Sequence, residues 1–146
     1  SILLTEDAGG LLRTLAEIPD TEIEVETNGS LPLMEYVGIS ERVFFTMDLK
    51  CPGSGMAEQN QYANLTWLRP QDVVKCVVSH RTDLDWVRAK VEEYRLTERC
   101  SVYIGAVFGR ITPAEIVEYL KEYDMDQVHI QLQLHKYIWD PEKRGV

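Results

Sequence analysis

The stretch QVHIQLQLHKYIWDPEKRGV, Gln127 to Val146, sets the reading of this chain. Val128, Ile130, Leu132 and Leu134 alternate with His129, Gln131, Gln133 and His135, the period-two signature of a β-strand. One face of such a strand is aliphatic and predicts contact with a core. The other carries only His and Gln, where a solvated strand would carry Lys, Glu or Thr. That composition predicts an enclosed face that hydrogen-bonds something. Tyr137, Ile138 and Trp139 make the tail too apolar for a loose terminus, so it is expected to fold back and close a pocket. Read this way, 128–134 is the last strand of an α/β protein with a site at its carboxyl end.

Upstream, the apolar runs Ile2–Leu4, Glu22–Glu26, Arg42–Met47, Val73–Val78 and Ser101–Val107 bring the count of expected strands to six. Amphipathic segments lie between them. Thr5 is the expected cap of a helix whose apolar positions are Leu11, Leu12, Leu15, Ala16 and Ile18, stopped by Pro19-Asp20. Residues 57–68 are read as helical up to the proline at 70. Thr82 is read as the cap of a helix with the stripe Leu84, Val87, Val91 and Tyr94. Thr112-Pro113-Ala114-Glu115 is a capping box with proline at the first helical position, ahead of Ile116, Val117, Leu120 and Tyr123. Continuous aliphatic strands alternating with such helices predict a mostly parallel sheet covered by helices. The periodicity is equally that of an open sheet and of a partial barrel.

At 146 residues the chain is expected to form one domain, 1–146, with a core of its own. A net charge of −9 argues against a nucleic-acid surface, which needs clustered Lys and Arg. No apolar run reaches the roughly 18 residues of a membrane span, and no signal-peptide pattern opens the chain. Cys51, Cys76 and Cys100 lie about 25 residues apart, too far for a CxxC knuckle, and fit reduced thiols in a cytoplasm.

In parallel α/β folds a ligand sits outside the carboxyl ends of the strands. The residues found there are Thr5; Thr27 and Asn28; Asp48 and Lys50; Ser79 and His80; Phe108 and Arg110; His135 and Lys136. Asp48 and Lys50 flank one residue, so on extended backbone they point the same way. Lys75 sits inside an apolar run, where an ammonium must find a carboxylate, a carbonyl or a ligand. No GxSxG, HExxH, GxGxxG or P-loop pattern occurs, which argues against acyl transfer and P-loop chemistry.

Five segments in order, VETNGS (25–30), DLKCPGSGM (48–56), VVKCVV (73–78), AVFGRITPAEIVEYL (106–120) and QLQLHKYIWDPEKRGV (131–146), resemble the 7-carboxy-7-deazaguanine synthase family. These are radical S-adenosylmethionine enzymes of queuosine biosynthesis. The resemblance implies a partial (β/α) barrel, truncated at its N-terminus and matching the carboxyl-terminal two-thirds of such an enzyme. It implies a reaction in which a [4Fe-4S] cluster and S-adenosylmethionine generate a radical on 6-carboxy-5,6,7,8-tetrahydropterin. With Mg²⁺ bound, the ring then contracts and loses ammonia. Carried over by position, Asp48, Leu49 and Lys50, with Gly105, Ala106, Val107 and Phe108, correspond to S-adenosylmethionine contacts. Thr5, His135 and the carboxylate of Val146 correspond to the substrate end. No catalytic or metal-ligating residue carries over. The family's triple-cysteine motif lies upstream of this sequence, so the chain is not expected to hold the cluster or to catalyse alone. The resemblance also implies a cytoplasmic protein and allows a homodimer.

Overall fold

The computed structural model describes residues 8–139. The order of elements is α1 (Ala8–Ala16), β1 (Ile23–Thr27), β2 (Val43–Leu49), β3 (Val73–Val78), α2 (Arg81–Tyr94), α3 (Leu96–Arg99), β4 (Ser101–Ala106), α4 (Pro113–Glu122), β5 (Val128–Gln131) and α5 (His135–Ile138). The five strands are all parallel and lie in chain order, β1-β2-β3-β4-β5, in one sheet that does not close. The fold is therefore α/β, as the alternation of apolar runs and amphipathic helices predicts. The expected strand at 2–4 lies outside the described residues.

Right-handed crossovers between sequential parallel strands put every connection on the same side of the sheet, and burial follows that rule. Val25, Val43, Phe45, Val74, Cys76, Val102 and Ile104 occupy one face and join Leu12, Leu84, Val87 and Ile116 in a single core. The opposite face carries Glu24, Glu26, Thr46, Asp48, Lys75, Tyr103, His129 and Gln131. Strand alternation alone makes this division; no helix among the described residues is needed to cover the second face.

Several local expectations are corrected. The strand expected over 128–134 stops at Gln131, because the β4 ladder ends there, at Gly105 opposite Gln131. Past that point the backbone has no neighbour to pair with. It satisfies its amides locally instead: Lys136 N–H donates to the Gln133 carbonyl, and Tyr137 and Ile138 N–H to that of Leu134. Leu132, Leu134, Tyr137, Ile138 and Trp139 consequently stay exposed, as do Gln131, Gln133 and His135, so the aliphatic face meets the core only at Val128 and, in part, Ile130, and no enclosed Gln/His face forms.

Residues 57–68 form two short 3-10 turns, Ala57–Gln59 and Tyr62–Thr66, rather than an α-helix. Asn60 and Asn64 spend their side chains on distant main chain, the competition that keeps Asn out of helices. Helix α2 begins at Arg81 with His80 at the N-cap, two residues ahead of the expected Thr82. In α4 the capping box is present, with Glu115 N–H donating to Thr112 Oγ1 and Thr112 N–H to Glu115. Its inner face, however, takes Tyr119 in place of Val117. Tyr119 Oη donates to Asp85 on α2 at 2.7 Å, which ties the two helices together.

Candidate functional site

A cleft of about 370 Å³ opens at the carboxyl ends of β2, β3 and β4, a size within the usual range for small-molecule sites, about 300–1,000 Å³. It is walled by Asp48, Leu49 and Lys50 from β2 and its extension, Lys75 and Val77 from β3, Ser79 and His80 after β3, and Val107 and Arg110 after β4. Asp48 Oδ2 and Lys50 Nζ pair at 3.1 Å with 46% and 36% of their side chains exposed. A pair so open contributes only about 0–1 kcal/mol, so it can be broken at little cost.

Main-chain hydrogen bonds from buried side chains set the walls. Asn60, nearly buried, receives the Lys50 N–H at 3.0 Å and donates to the Lys50 carbonyl at 2.8 Å. It thereby completes a ladder where β2 has run out of partners. Asp83, 1% exposed, accepts the N–H of Gly53 and the N–H of Ser79, each at 2.8 Å. One carboxylate thus joins the loop after β2 to the turn after β3. Gly53 is required by that approach: a Cβ there would lie 2.4 Å from Asp83 Oδ2. Val107 is held at the rim by its N–H donating to the Val78 carbonyl at 2.9 Å. Behind β2, the fully buried Asp72 accepts the Phe45 N–H at 2.9 Å and pairs with Arg69 at 3.0 Å.

Asp48, Lys50 and Val107 come together in the cleft, as do Ser79, His80 and Arg110 from the list of strand ends. The segment Gly105–Phe108 divides. Ala106 and Phe108 face a second, largely apolar groove of about 590 Å³ shared with Leu132, Leu134 and Tyr137. His135 lines neither; His80, on the loop after β3, is the histidine at the cleft. Thr5 and Val146 lie outside the described residues. Asn60 and Asp83 escape a sequence reading because Lys50, the partner of Asn60, lies 10 residues away and Gly53, the loop partner of Asp83, lies 30 residues away.

Of the three cysteines Cys51 lines the cleft, whereas Cys76 and Cys100 lie outside it. All are buried and free. The hydrogen bond shared with Cys51, and then burial, push the Cys76 thiol well above its ordinary range. Burial pushes Cys100 up to about 11. Thiols held protonated in this way bind metal poorly. Among the described residues no three His, Cys, Asp or Glu gather as a metal-binding group. The described residues therefore do not fit an iron–sulfur cluster. No helix among them is long and apolar enough to cross a membrane.

An unclosed parallel sheet, helices on one side and a polar cleft at the strands' carboxyl ends define a partial β/α barrel protein. The chain is homologous, over nearly all of its length, to the 7-carboxy-7-deazaguanine synthases. It is 38% identical over 99% of its length to the one from Clostridium acetobutylicum and 35% identical over 99% to the one from Chlorobaculum tepidum. With the one from Koribacter versatilis it shares 30% identity over 86% of its length. It spans 65%, 64% and 59% of those three relatives. No family model and no solved structure matches.

Proposed function

We propose that this chain forms the ligand-binding part of a 7-carboxy-7-deazaguanine synthase, a carbon–nitrogen lyase that uses S-adenosylmethionine. The reaction converts 6-carboxy-5,6,7,8-tetrahydropterin to 7-carboxy-7-deazaguanine plus ammonia. The observation that supports this reading is identity of 35–38% running through 99% of the chain, the cleft segment included. In the proposal Asp48 accepts hydrogen bonds from a ribose and Lys50 donates to a carboxylate, with Leu49, Gly105, Ala106, Val107 and Phe108 as further contacts to S-adenosylmethionine. Thr5, His135 and Val146 are proposed at the substrate end on the strength of the resemblance. A [4Fe-4S] cluster and Mg²⁺ belong to the proposed activity, and the described residues offer no set of cluster ligands. Their work is to bind, orient and shield. A cytoplasmic homodimer without nucleic-acid partners completes the proposal.

The second reading is a non-catalytic pterin- or nucleoside-binding module on the same fold, which the polar cleft at the strand ends would serve equally well. Iron and sulfide analysis of the full gene product separates the two. The cleft itself is tested by calorimetric titration of S-adenosylmethionine. Saturable binding weakened about tenfold or more in Asp48→Ala and Lys50→Ala is expected from loss of charge-assisted hydrogen bonds. Equal affinity in both variants and the unchanged chain refutes the assignment.

A further inference from the structure

Lys75 sits mid-strand in β3, on the face opposite the helices. The register places Asp48 beside it on β2 and Tyr103 beside it on β4, with His129 one strand further. Tyr103 and His129 stack with ring centroids 4.8 Å apart. A lysine in such a strand is resolved by a carboxylate, a carbonyl or a ligand. The carboxylate next in register, that of Asp48, pairs with Lys50 instead. Among the described residues Lys75 makes no ion pair or hydrogen bond through its ammonium. Its side chain lines the cleft, where Lys50, Lys75 and Arg110 face a single lining carboxylate in a protein of net charge −9. A concave site of one sign concentrates ions of the other.

We propose that Lys75 is the anion anchor of the cleft and takes a carboxylate group of the bound ligand; this rests on the function proposed above. A carboxylate fits better than a phosphate, because Asp48 in the same row opposes a second negative charge more than a first. Two ligands of the proposed reaction carry such a group, the amino-acid end of S-adenosylmethionine and the 6-carboxyl of the pterin.

The test is calorimetric titration of the whole chain, unchanged and as Lys75→Met and Lys75→Arg. Two ligand pairs are used: S-adenosylmethionine against 5′-methylthioadenosine, and 6-carboxypterin against pterin. In Lys75→Met one carboxylate-bearing ligand should bind about ten- to a hundredfold more weakly. Its carboxylate-free partner should be unaffected, and Lys75→Arg should recover most of the loss. The pair that responds names the source of the carboxylate. Equal loss within both pairs, or no loss, overturns the anchor while leaving the function standing. No binding of any ligand by the unchanged chain overturns the function and the anchor with it. Should Lys75→Met fail to fold, amine labelling of the unchanged chain read by mass spectrometry replaces it. Lys75 should be shielded by the carboxylate-bearing ligand and not by its partner, and equal labelling with both refutes the anchor.

Discussion

Removing one carboxylate should loosen two walls of the cleft at once. Asp83 is 1% exposed and its two acceptor bonds to Gly53 and Ser79 are both 2.8 Å. Hydrogen bonds to a charged group contribute about 1.5–3 kcal/mol each, and bonds sharing one acceptor group do not add fully. Asp83→Ala should therefore cost about 3 kcal/mol. At about 2–4 °C per kcal/mol for a chain of this size, the midpoint of thermal unfolding should fall by about 6–12 °C. Asp83→Asn keeps one acceptor but turns an amide donor toward the second N–H, so it should lose at least half as much. Gly53→Ala gives an independent handle. Its methyl would meet the Asp83 carboxylate at 2.4 Å, while the Gly53 backbone does not have the positive φ that would exclude alanine. Alone, that substitution should cost about 1–3 kcal/mol through overpacking. In the Asp83→Ala background the room it needs exists and the cost should nearly vanish. Thermal or urea unfolding of the two single variants and the double variant closes the cycle. A coupling energy below about 0.5 kcal/mol, that is, additive losses, would refute the claim that this carboxylate holds the Gly53 loop.

Three further outcomes follow from the same hydrogen-bond geometry and from burial. Asn60→Ala strips both main-chain partners from Lys50, so it should cost about 1–3 kcal/mol in unfolding and weaken any ligand bound through Lys50; unchanged stability would show that water replaces the amide. The buried thiols should be silent to a thiol reagent in the folded protein and all react in denaturant. The folded Cys100 pKa, pushed up from 9.0 to about 11 by burial, lies above the unfolded value. Its contribution to stability is therefore complete below about pH 9 and lost as pH rises toward 11. Urea midpoints that stay flat across that interval in the unchanged chain, or fall equally in Cys100→Ala, would contradict this.

Sequence legibility followed the range of the interactions. Val73–Val78 was readable to the residue, because a continuous Val/Cys run with a single Lys suits a parallel strand. The capping box at Thr112–Glu115 was readable because all its partners lie within one turn. The terminal segment misled for the converse reason. Alternation of Gln131, Leu132, Gln133 and Leu134 meets every local criterion of a strand, yet a strand also needs a neighbour, and β4 ends at Ala106. Among the cleft residues, Asp48 and Lys50 were legible through their spacing, whereas Asn60 and Asp83 were not, since an Asn after a turn and an Asp in the first turn of a helix are ordinary until their partners are known.

The two faces of the sheet account for what the cleft can do. Alternation sends Val74 and Cys76 to the core and Lys75 to the other side, and parallel register then aligns Asp48, Lys75, Tyr103 and His129 in one row across four strands. A one-residue slip of β3 would exchange the two sets and bury an ammonium among Val, Phe and Ile. The register that places the cleft's charges is thus enforced by the core on the far side. Asp72 adds a check on that register, because its carboxylate takes the Phe45 N–H immediately before β3 begins to pair with β2 at Thr46. Polar groups on the ligand face are consequently free to vary in kind, so long as they do not disturb the apolar face that positions them.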